Sequence, residues 1–393
     1  MLSEIRSELM DHIVPFWEKL MDKENGGYYG YVGYDLKTDK KAPKGVILNS
    51  RILWFFSNVY LLTEDKSLLY NAEHAYDFLR DHCMDEEQGG VYWSLTHDGK
   101  PLDQTKHTYN QAFAIYGLAS YYAASSDEEA LKLAYKLVDI IEKKCSDEGG
   151  YLEAFDREFR PVSNEKLSEN GVEAGRTMNT LLHIIEAYTE LYRVTKDKKI
   201  AVRLKKMLDI FKEKIYNEDK GRQEVFFDKD YNSLIDLYSY GHDIETSWLI
   251  DRCLEVLDDK EYRKKIGPIT DALCKNVIKE AFDGRSLANE CENGKVNTTR
   301  IWWVQAETLI AIINAIEKDF SNDEYKEYAK KEWDYIRTHQ IDHRPGGEWY
   351  SEVSVKGVPD KSKEMAGIWK CPYHNGRMCI ELIRRLERIG DIN

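Results

Sequence analysis

The chain has 393 residues and a formal net charge of −14, and both values limit the kinds of partner it can have. An acidic surface repels the phosphates of nucleic acids and of anionic membranes. No apolar run approaches the roughly 20 residues of a membrane-spanning helix, and the first residues, Met1-Leu2-Ser3-Glu4, lack the basic and apolar regions of a signal peptide. We therefore expect a cytoplasmic protein with no nucleic-acid or membrane partner.

The seven cysteines are scattered and include no C-x-x-C pair. Their spacing predicts reduced, mostly buried thiols. No Pro/Ser-rich linker or change of composition divides the chain, so we expect residues 1–393 to form a single domain. Nothing in the sequence predicts assembly, and we expect a monomer.

A glycine-rich turn recurs about every 60 residues along the chain. A period of this length is typical of a ring or solenoid of small units that bury their apolar faces against one another. The six turns are Asn25-Gly26-Gly27, Gln88-Gly89-Gly90, Glu148-Gly149-Gly150, Gly221-Arg222, Asp283-Gly284 and Gly346-Gly347.

Between these turns the apolar residues follow a helical period. In the seventh predicted helix, for example, apolar residues recur every three or four positions from Ala201 to Ile215. The pattern predicts helices at 3–21, 46–63, 66–83, 107–124, 127–144, 174–195, 197–216, 241–257, 259–280, 299–317, 322–340 and 372–388. Their connections alternate between tight turns and long loops that carry the glycine turns.

The even-numbered helices are less polar than the odd-numbered ones. The second, 46–63, is apolar nearly all round, which is typical of a helix buried on every side. Six inner helices surrounded by six amphipathic outer helices predict an all-α fold, an (α/α)6 toroid. The short aromatic segments after the glycine turns predict small β-hairpins at the mouth, the end where the long loops lie.

Unusual polar and aromatic residues fall in the first turns of all six inner helices. Inner-helix N-termini at the loop end surround an axial pocket, where binding sites concentrate, and their dipoles favour negative charge there. The residues are Arg51, Tyr109, Asn110, Asn179, His183, His242, Glu245, Trp302, Trp303, Glu307, His374 and Arg377.

Several of these residues also admit a structural interpretation. A single His on an apolar helix is more often a hydrogen-bonded core residue than a catalyst, and one of two adjacent helical tryptophans usually packs in the core. Trp93, Trp349 and Trp369 lie in predicted mouth loops, where they would either bind the apolar faces of sugar rings or pack within hairpins.

His242 and Glu245 have the i, i+3 spacing of a metal-ligand pair. No Cys or Asp joins them, and the carboxylate can equally orient the imidazole. We therefore expect no metal.

The residue types restrict the chemistry. Glycosidases on such toroids need two carboxylates flanking the bond, whereas His dominates the predicted pocket, and no phosphate- or dinucleotide-binding glycine motif is present. Imidazoles move protons near neutral pH, so proton abstraction next to a sugar carbonyl fits best. One His would remove the C2 proton, Arg51 would stabilise the enediolate, and another His would return a proton on the opposite face.

Four motifs then resemble those of the cellobiose 2-epimerases, within the N-acylglucosamine 2-epimerase superfamily. The resemblance runs almost end to end, with Asn375-Gly376 favouring the disaccharide branch. The motifs are Gly45-Val-Ile-Leu-Asn-Ser-Arg51-Ile-Leu-Trp-Phe-Phe56, Ser239-Tyr-Gly-His242-Asp-Ile-Glu245-Thr-Ser-Trp248, Arg300-Ile-Trp-Trp303-Val-Gln-Ala-Glu307 and Trp369-Lys-Cys-Pro-Tyr-His374-Asn-Gly-Arg377.

The resemblance implies an (α/α)6 barrel that converts the reducing-end glucose of a β-1,4-linked disaccharide to mannose without a cofactor. It implies that His242 and His374 are the acid/base pair and that His183 assists, in ring opening. The substrate-binding residues it implies, with Glu307 added from the tenth helix, are Arg51, Tyr109, Asn179, Glu245, Trp303, Glu307 and Trp369. An aldose–ketose isomerase, an N-acylglucosamine 2-epimerase and a non-catalytic carbohydrate-binding toroid remain as alternatives.

Overall fold

The computed structural model describes residues 1–167 and 170–392. Its helices form the predicted (α/α)6 toroid, and their ends lie within four residues of the predicted ones. The helices of the described residues are α1 (2–18, made of Leu2–Ser7, a π-helical turn Glu8–Ile13 and Val14–Glu18), α2 (Val46–Thr63), α3 (Lys66–Phe78 continued by the π-helical turn Leu79–Cys83), α4 (Thr108–Ser125), α5 (Glu128–Lys144), α6 (Met178–Thr195), α7 (Lys198–Ile210 continued by Phe211–Ile215), α8 (Tyr240–Leu257), α9 (Lys260–Ala281), α10 (Trp302–Lys318), α11 (Asp323–Tyr335 continued by Ile336–Gln340) and α12 (His374–Ile389).

Tight turns join each inner helix to the next outer one. The helix α2 ends at Glu64 in the left-handed conformation, and the side chain of Asp65 then accepts a hydrogen bond from Ser67 N to cap α3. The same kind of turn, in which a residue in the left-handed conformation is followed by a capping Asp, joins α4 to α5, α6 to α7 and α8 to α9. This repeated turn places all the tight connections at one end of the toroid.

The inner helices form the core. The helix α2, Val46–Thr63, is long and apolar enough to cross a membrane by length and composition, but 78% of it is buried inside the protein. Such a helix is a core element, as its sequence predicted.

Short strands lie at the mouth, and every long loop contributes to them. The strands are β1 (Lys44–Gly45), β2 (Ser94–Leu95), β3 (Pro101–Asp103), β4 (Lys106–His107), β5 (Ala154–Phe155), β6 (Arg176–Thr177), β7 (Tyr216–Asn217), β8 (Arg222–Gln223), β9 (Phe226–Phe227), β10 (Leu237–Ser239), β11 (Glu290–Glu292), β12 (Lys295–Asn297), β13 (Arg300–Ile301) and β14 (Glu352–Val353).

The predicted hairpins form, and a second kind of pairing connects them. Each glycine turn closes a minimal antiparallel hairpin, as in the Met21–Tyr28 and Ile341–Trp349 bridges. In addition, the strand before each inner helix pairs with a strand of the next long loop: β1 with β2, β4 with β5, β6 with β9, β10 with β11 and β13 with β14. A bridge between Val32 and Ala366 closes the ring.

An ion pair joins the glycine turn to the inner helix in four of the six units, and it is fully buried in the first two of them. An Asp accepts backbone N–H groups of the turn and also pairs with a basic residue of the strand that leads into the inner helix. The pairs are Asp22–Lys44, Asp85–Lys106, Asp147–Arg176 and Asp283–Arg300. These pairs fix the position of the inner-helix N-termini, which carry the site.

Candidate active site

A cavity of about 250 Å³ opens at the mouth, among the N-termini of the inner helices. Nine of the ten predicted site residues line it, namely Arg51, Tyr109, Asn179, His183, His242, Glu245, Trp303, Trp369 and His374. The exception is Glu307, which lies one layer behind the wall. The toroid thus brings together residues that are separated by more than 300 positions in the chain.

Arg51 is buried at the cavity without an acidic partner. Its Nη2 donates to Tyr109 Oη at 2.8 Å, and its guanidinium lies over the rings of Phe113 and Tyr373 at 4.1 and 4.5 Å from their centroids. No carboxylate of the described residues forms an ion pair with it, and its Nε has no hydrogen-bond partner. A buried charge of this kind is normally paired.

His242 lies in the first turn of α8. Its Nδ1 lies 2.7 Å from Ser239 Oγ, so Nε2 is the ring nitrogen left for the cavity. The ring of Trp303 is 5.0 Å from that of His242 and 5.5 Å from that of His374, measured between centroids. Burial, with His183 nearby, lowers the pKa of His242 to about 3.

His374 begins α12 and is held by Glu307. Its Nδ1 lies 2.7 Å from Glu307 Oε1, and Glu307 also accepts from Trp248 Nε1 at 2.8 Å and from Arg377 Nη2 at 2.7 Å. Glu307 therefore orients His374 rather than reaching the cavity. Burial and the positive charges of Arg377 and Arg51 place the pKa of His374 well below its usual value.

His183 has a carboxylate partner of its own. Its Nδ1 lies 2.8 Å from Glu186 Oε2, and the hydroxyl of Tyr373 donates to the same carboxylate at 2.6 Å. Burial opposes the ionisation of Glu186, but Arg377 and His183 outweigh it and lower its pKa to about 2. The sequence interpretation passed over this His-x-x-Glu pair, although it repeats the spacing of His242 and Glu245.

The acidic groups beneath the cavity share one guanidinium. Arg377 Nη2 donates to Glu245 Oε1 at 2.5 Å and to Glu307 Oε1 at 2.7 Å. Burial raises the pKa of Glu245 and of Glu307 to about 7; the carboxylate of Glu307 adds to this effect on Glu245, and Arg377 opposes it in both. Glu307 also accepts hydrogen bonds from Trp248 and Arg377, and these bonds favour its ionised form.

Glu245, Glu307 and His374 also have ligand atoms close enough together to hold a metal ion. Arg377 already supplies a positive charge to both carboxylates, so a cation there would have to displace it. His242 is not part of this group, and the metal-ligand interpretation of His242 with Glu245 gains no geometric support.

Aromatic side chains form the wall of the cavity. Trp302 and Trp303 both line it, whereas the sequence placed one of them in the core. Trp369 lines it beside Tyr109, at 6.1 Å between ring centroids, and also contacts Trp93 at 5.7 Å.

The interpretation of Trp349 as a sugar-binding platform at the mouth is wrong. It is fully buried, and its Nε1 donates to Glu8 of α1 at 2.7 Å, because the last glycine turn packs against the first helix when the ring closes. Trp93 is also largely buried, beneath Trp369.

The long loop before α6 supplies part of the rim. Lys166, Leu167 and Asn170 line the cavity, as do Glu290 and Glu352 from the loops opposite. Residues 168 and 169 of this loop lie outside the described residues.

The comparisons with known proteins agree with this geometry. A sequence model of N-acylglucosamine 2-epimerase (GlcNAc 2-epimerase) matches residues 16–376. The chain belongs to this family. It is 52% identical over 385 residues to a cellobiose 2-epimerase of Ruminococcus albus, covering 98% of this chain and 99% of the relative.

Solved structures show the same fold. The structure of cellobiose 2-epimerase from Bacillus thermoamylovorans superposes with a TM-score of 0.93 at 45% identity, covering 98% of this chain and 99% of the other. A D-mannose isomerase of Marinomonas mediterranea is more distant, at 24% identity over 92% of each chain. Within the family, the chain is thus much more similar to the epimerases than to this isomerase.

Proposed function

We propose that the protein is a cofactor-independent cellobiose 2-epimerase. It interconverts glucose and mannose at the reducing end of β-1,4-linked disaccharides, converting cellobiose to 4-O-β-D-glucosyl-D-mannose and lactose to epilactose. The relatives of that name, at 39–52% identity over 97–98% of the chain, support this substrate class.

The observation that carries the proposal is the charge arrangement of the cavity. Arg51 offers a buried guanidinium with no carboxylate in contact among the described residues, and three imidazoles line the same cavity. An enediolate is the anion that such a site would stabilise, because removal of a proton next to a sugar carbonyl leaves the charge on two adjacent oxygens.

The reaction proceeds through the open-chain sugar. His183, oriented by Glu186, assists ring opening by proton transfer at the ring oxygen or the anomeric hydroxyl. One imidazole of the pair His242 and His374 then removes the C2 proton, and Arg51 stabilises the enediolate. The other imidazole returns a proton to the opposite face of C2, which inverts the configuration.

The two imidazoles come from different inner helices, α8 and α12, and both lie close to the ring of Trp303. Their lowered pKa values keep both imidazoles neutral, as a general base must be. The negative charge of the enediolate raises the proton affinity of the second imidazole, which takes a proton from solvent and delivers it to C2, while the first imidazole releases the C2 proton to solvent.

Two alternatives differ in outcome. An aldose–ketose isomerase would return the proton to C1, and a carbohydrate-binding toroid would transfer none. The identity to the D-mannose isomerase is less than half of that to the Ruminococcus albus epimerase, so the isomerase is not favoured.

Incubation with cellobiose in D2O tests the proposal. We expect deuterium at C2 of the reducing-end sugar and the appearance of its mannose epimer, both followed by NMR. Ketose as the main product would show that the protein is an isomerase instead. If the substrate took up no deuterium and formed no epimer, the protein would be a carbohydrate-binding protein.

No metal or other cofactor is required in this mechanism, since Arg51 carries the charge stabilisation and imidazoles carry the protons. We predict that exhaustive treatment with EDTA leaves the epimerisation rate unchanged. Loss of activity that Mg²⁺, Mn²⁺ or Zn²⁺ restores would assign a metal to Glu245, Glu307 and His374 in place of their contact with Arg377.

We also propose that the enzyme works as a cytoplasmic monomer without nucleic-acid or membrane partners. All seven cysteines are free thiols, and the large exposed apolar side chains are scattered in the sequence. Light scattering of the purified protein at micromolar concentration measures the monomer mass of 46.0 kDa if this is correct.

A further inference from the structure

The three histidines of the cavity differ in the chemistry of their partners. Each uses Nδ1 for a hydrogen bond within the protein, but the partner is a carboxylate for His183 and His374 and a hydroxyl for His242. No carboxylate oxygen of the described residues lies within ion-pair distance of a ring nitrogen of His242.

The hydroxyl partner, Ser239, is unusual for its position. Ser239 is the N-cap residue of α8, where a serine side chain normally accepts a hydrogen bond from a backbone N–H of the first turn. Here the side chain makes no such bond and contacts the ring of His242 instead. Thr177, the N-cap of α6, keeps the ordinary arrangement, with Thr180 N donating to its hydroxyl at 3.0 Å.

The two kinds of partner have different effects on a neutral imidazole. An ionised carboxylate only accepts, so it holds the proton on Nδ1 and leaves Nε2 as a lone pair facing the cavity. A hydroxyl both donates and accepts, so it preserves its hydrogen bond whichever nitrogen carries the proton. It also supplies no charge to stabilise the imidazolium.

We propose that Ser239 is a positioning residue that holds His242 in place while allowing it both neutral tautomers, whereas Glu307 restricts His374 to the form with a bare Nε2. The proposal rests on the epimerase function proposed above. It makes the two imidazoles unequal: His374 presents only a lone pair at Nε2, whereas His242 can also donate from Nε2 to a sugar oxygen.

The surroundings of His242 agree with this assignment. The titratable groups that face it are His183 from α6, His374 from α12, Glu245 on its own helix and Glu290, which pairs with Ser239 across β10 and β11. Of these, only His183 affects the pKa of His242, and it acts in the same direction as burial.

The tautomers are read directly from the ring-nitrogen chemical shifts of the wild-type protein, with His242→Asn used to assign the signals. We expect His242 to show both neutral tautomers at pH 7, and His374 to show the Nδ1–H form. A single Nδ1–H tautomer at His242 would overturn the proposal, and this result does not depend on whether the protein is an epimerase.

Kinetics of three Ser239 variants supply the second test. We expect Ser239→Ala to lower kcat about 10-fold with KM changed less than two-fold, and Ser239→Thr to retain near-wild-type kcat. Ser239→Asp gives His242 a carboxylate and should move the acidic limb of the kcat/KM profile upward by about one pH unit.

Thr177→Ala is the matched control for a lost helix cap. It should lower the unfolding temperature without moving the acidic limb. If Ser239→Ala kept wild-type kcat, or if Ser239→Asp left the limb where it is, Ser239 would be structural. If the wild-type protein exchanged no proton at C2 of the sugar, the proposed epimerase function would itself be wrong.

Discussion

At the scale of single residues, Arg51 shows how the site departs from ordinary packing. Its guanidinium donates to Tyr109 Oη and to Cys371 Sγ, lies over the rings of Phe113 and Tyr373, and contacts no carboxylate of the described residues. Burial of an unpaired charge lowers stability, and such groups are retained where function needs them. We therefore expect Arg51 to be required for turnover but not for the stability of the fold.

We predict that Arg51→Lys lowers kcat about 10²-fold, because the ammonium keeps the charge but loses the fork that holds two oxygens. Arg51→Met should abolish turnover without lowering the unfolding temperature. Steady-state kinetics and thermal denaturation of the two variants check this. A rise in KM alone would make Arg51 a substrate-positioning residue, and a much lower unfolding temperature for Arg51→Met would contradict the charge argument.

The two imidazoles give a second prediction. His242→Asn and His374→Asn should each lower kcat by about 10²–10⁴-fold, the usual contribution of a general acid or base. His339→Asn, in the π-helical turn of α11 and remote from the cavity, is the control and should retain activity. Near-normal epimerisation by either cavity variant would rule out the two-imidazole mechanism.

The sequence predicted the cavity residues better than their partners. The site residues follow from their position in the first turn of an inner helix, which periodicity reveals. The contact of Ser239 with His242 does not, because a serine at that position predicts a helix cap. His183 with Glu186 and His242 with Glu245 have the same spacing, yet only the first pair is bonded, and the Nδ1 of His242 contacts Ser239 instead.

At the scale of elements, the helices were predictable because their boundaries carry local signals. Inner helices are apolar nearly all round, and a capping Asp begins the following helix after a tight turn. The strands β1 to β14 have two or three residues each, which is too short for an alternating pattern. Their pairing between successive loops depends on the closed ring and not on adjacent sequence.

The glycine turns depend both on signals in the local sequence and on contacts between distant residues. Gly27 has a φ of +63°, and a Cβ there would lie 2.6 Å from the ring of Phe78 and 2.7 Å from Asn49 Oδ1. The conformation explains the recurring glycines, which the sequence shows. The ion pair of Asp22 with Lys44, which secures the same turn, joins residues 22 positions apart and was not predicted.

The outer helix α11 contains an acid where the fold places apolar side chains. Both carboxylate oxygens of Glu332 are buried and have no hydrogen-bond partner, and burial raises the pKa of this residue well above its usual value. A carboxyl group whose pKa is higher in the folded than in the unfolded state makes the fold more stable at low pH than at high pH. That contribution is complete below its unfolded pKa and is lost as the pH rises towards the folded pKa.

We therefore predict that Glu332→Met raises the unfolding temperature, and by more at pH 8 than at pH 5. The wild-type group is ionised in the unfolded state at pH 8, whereas it is partly protonated there at pH 5, so the penalty that the substitution removes is larger at the higher pH. Thermal denaturation at the two pH values measures the effect. Glu327→Gln, exposed on the same helix, is the control, and an equal gain at both pH values would contradict the linkage.

At the scale of the whole molecule, the chain termini meet to complete the ring. Glu348 joins the four parts of this junction: it accepts from Trp17 of α1 and Asn375 of α12, from the backbone of the last glycine turn, and from Lys370. The cavity depends on this closure because His374 and Arg377 come from the last helix and Arg51 from the first inner one. The motifs of the sequence predicted that these residues meet, but not the buried acid that seals the junction.

The closed ring has one open end, and in the proposed reaction this asymmetry would favour disaccharides. With the reacting sugar among the inner-helix N-termini near Arg51, the second sugar would extend towards the loops. Trp369 lines the cavity next to Tyr109, and we expect its ring to contact the second sugar. An aromatic face stacked on the second pyranose contributes about 1 kcal/mol beyond its buried area, by analogy with aromatic pairs. That remote binding energy helps to orient the reacting ring.

We predict that Trp369→Ala lowers kcat/KM for cellobiose about 10-fold more than for glucose or mannose, which narrows the preference between them. Competition assays with the two substrates in one reaction measure this ratio directly. Trp93→Ala, which removes the ring supporting Trp369 without exposing a new cavity residue, should give a smaller change in the same direction. Equal losses on both substrates would place Trp369 beside the reacting sugar, and disaccharide selectivity would then depend on Lys166 and Asn170 at the rim.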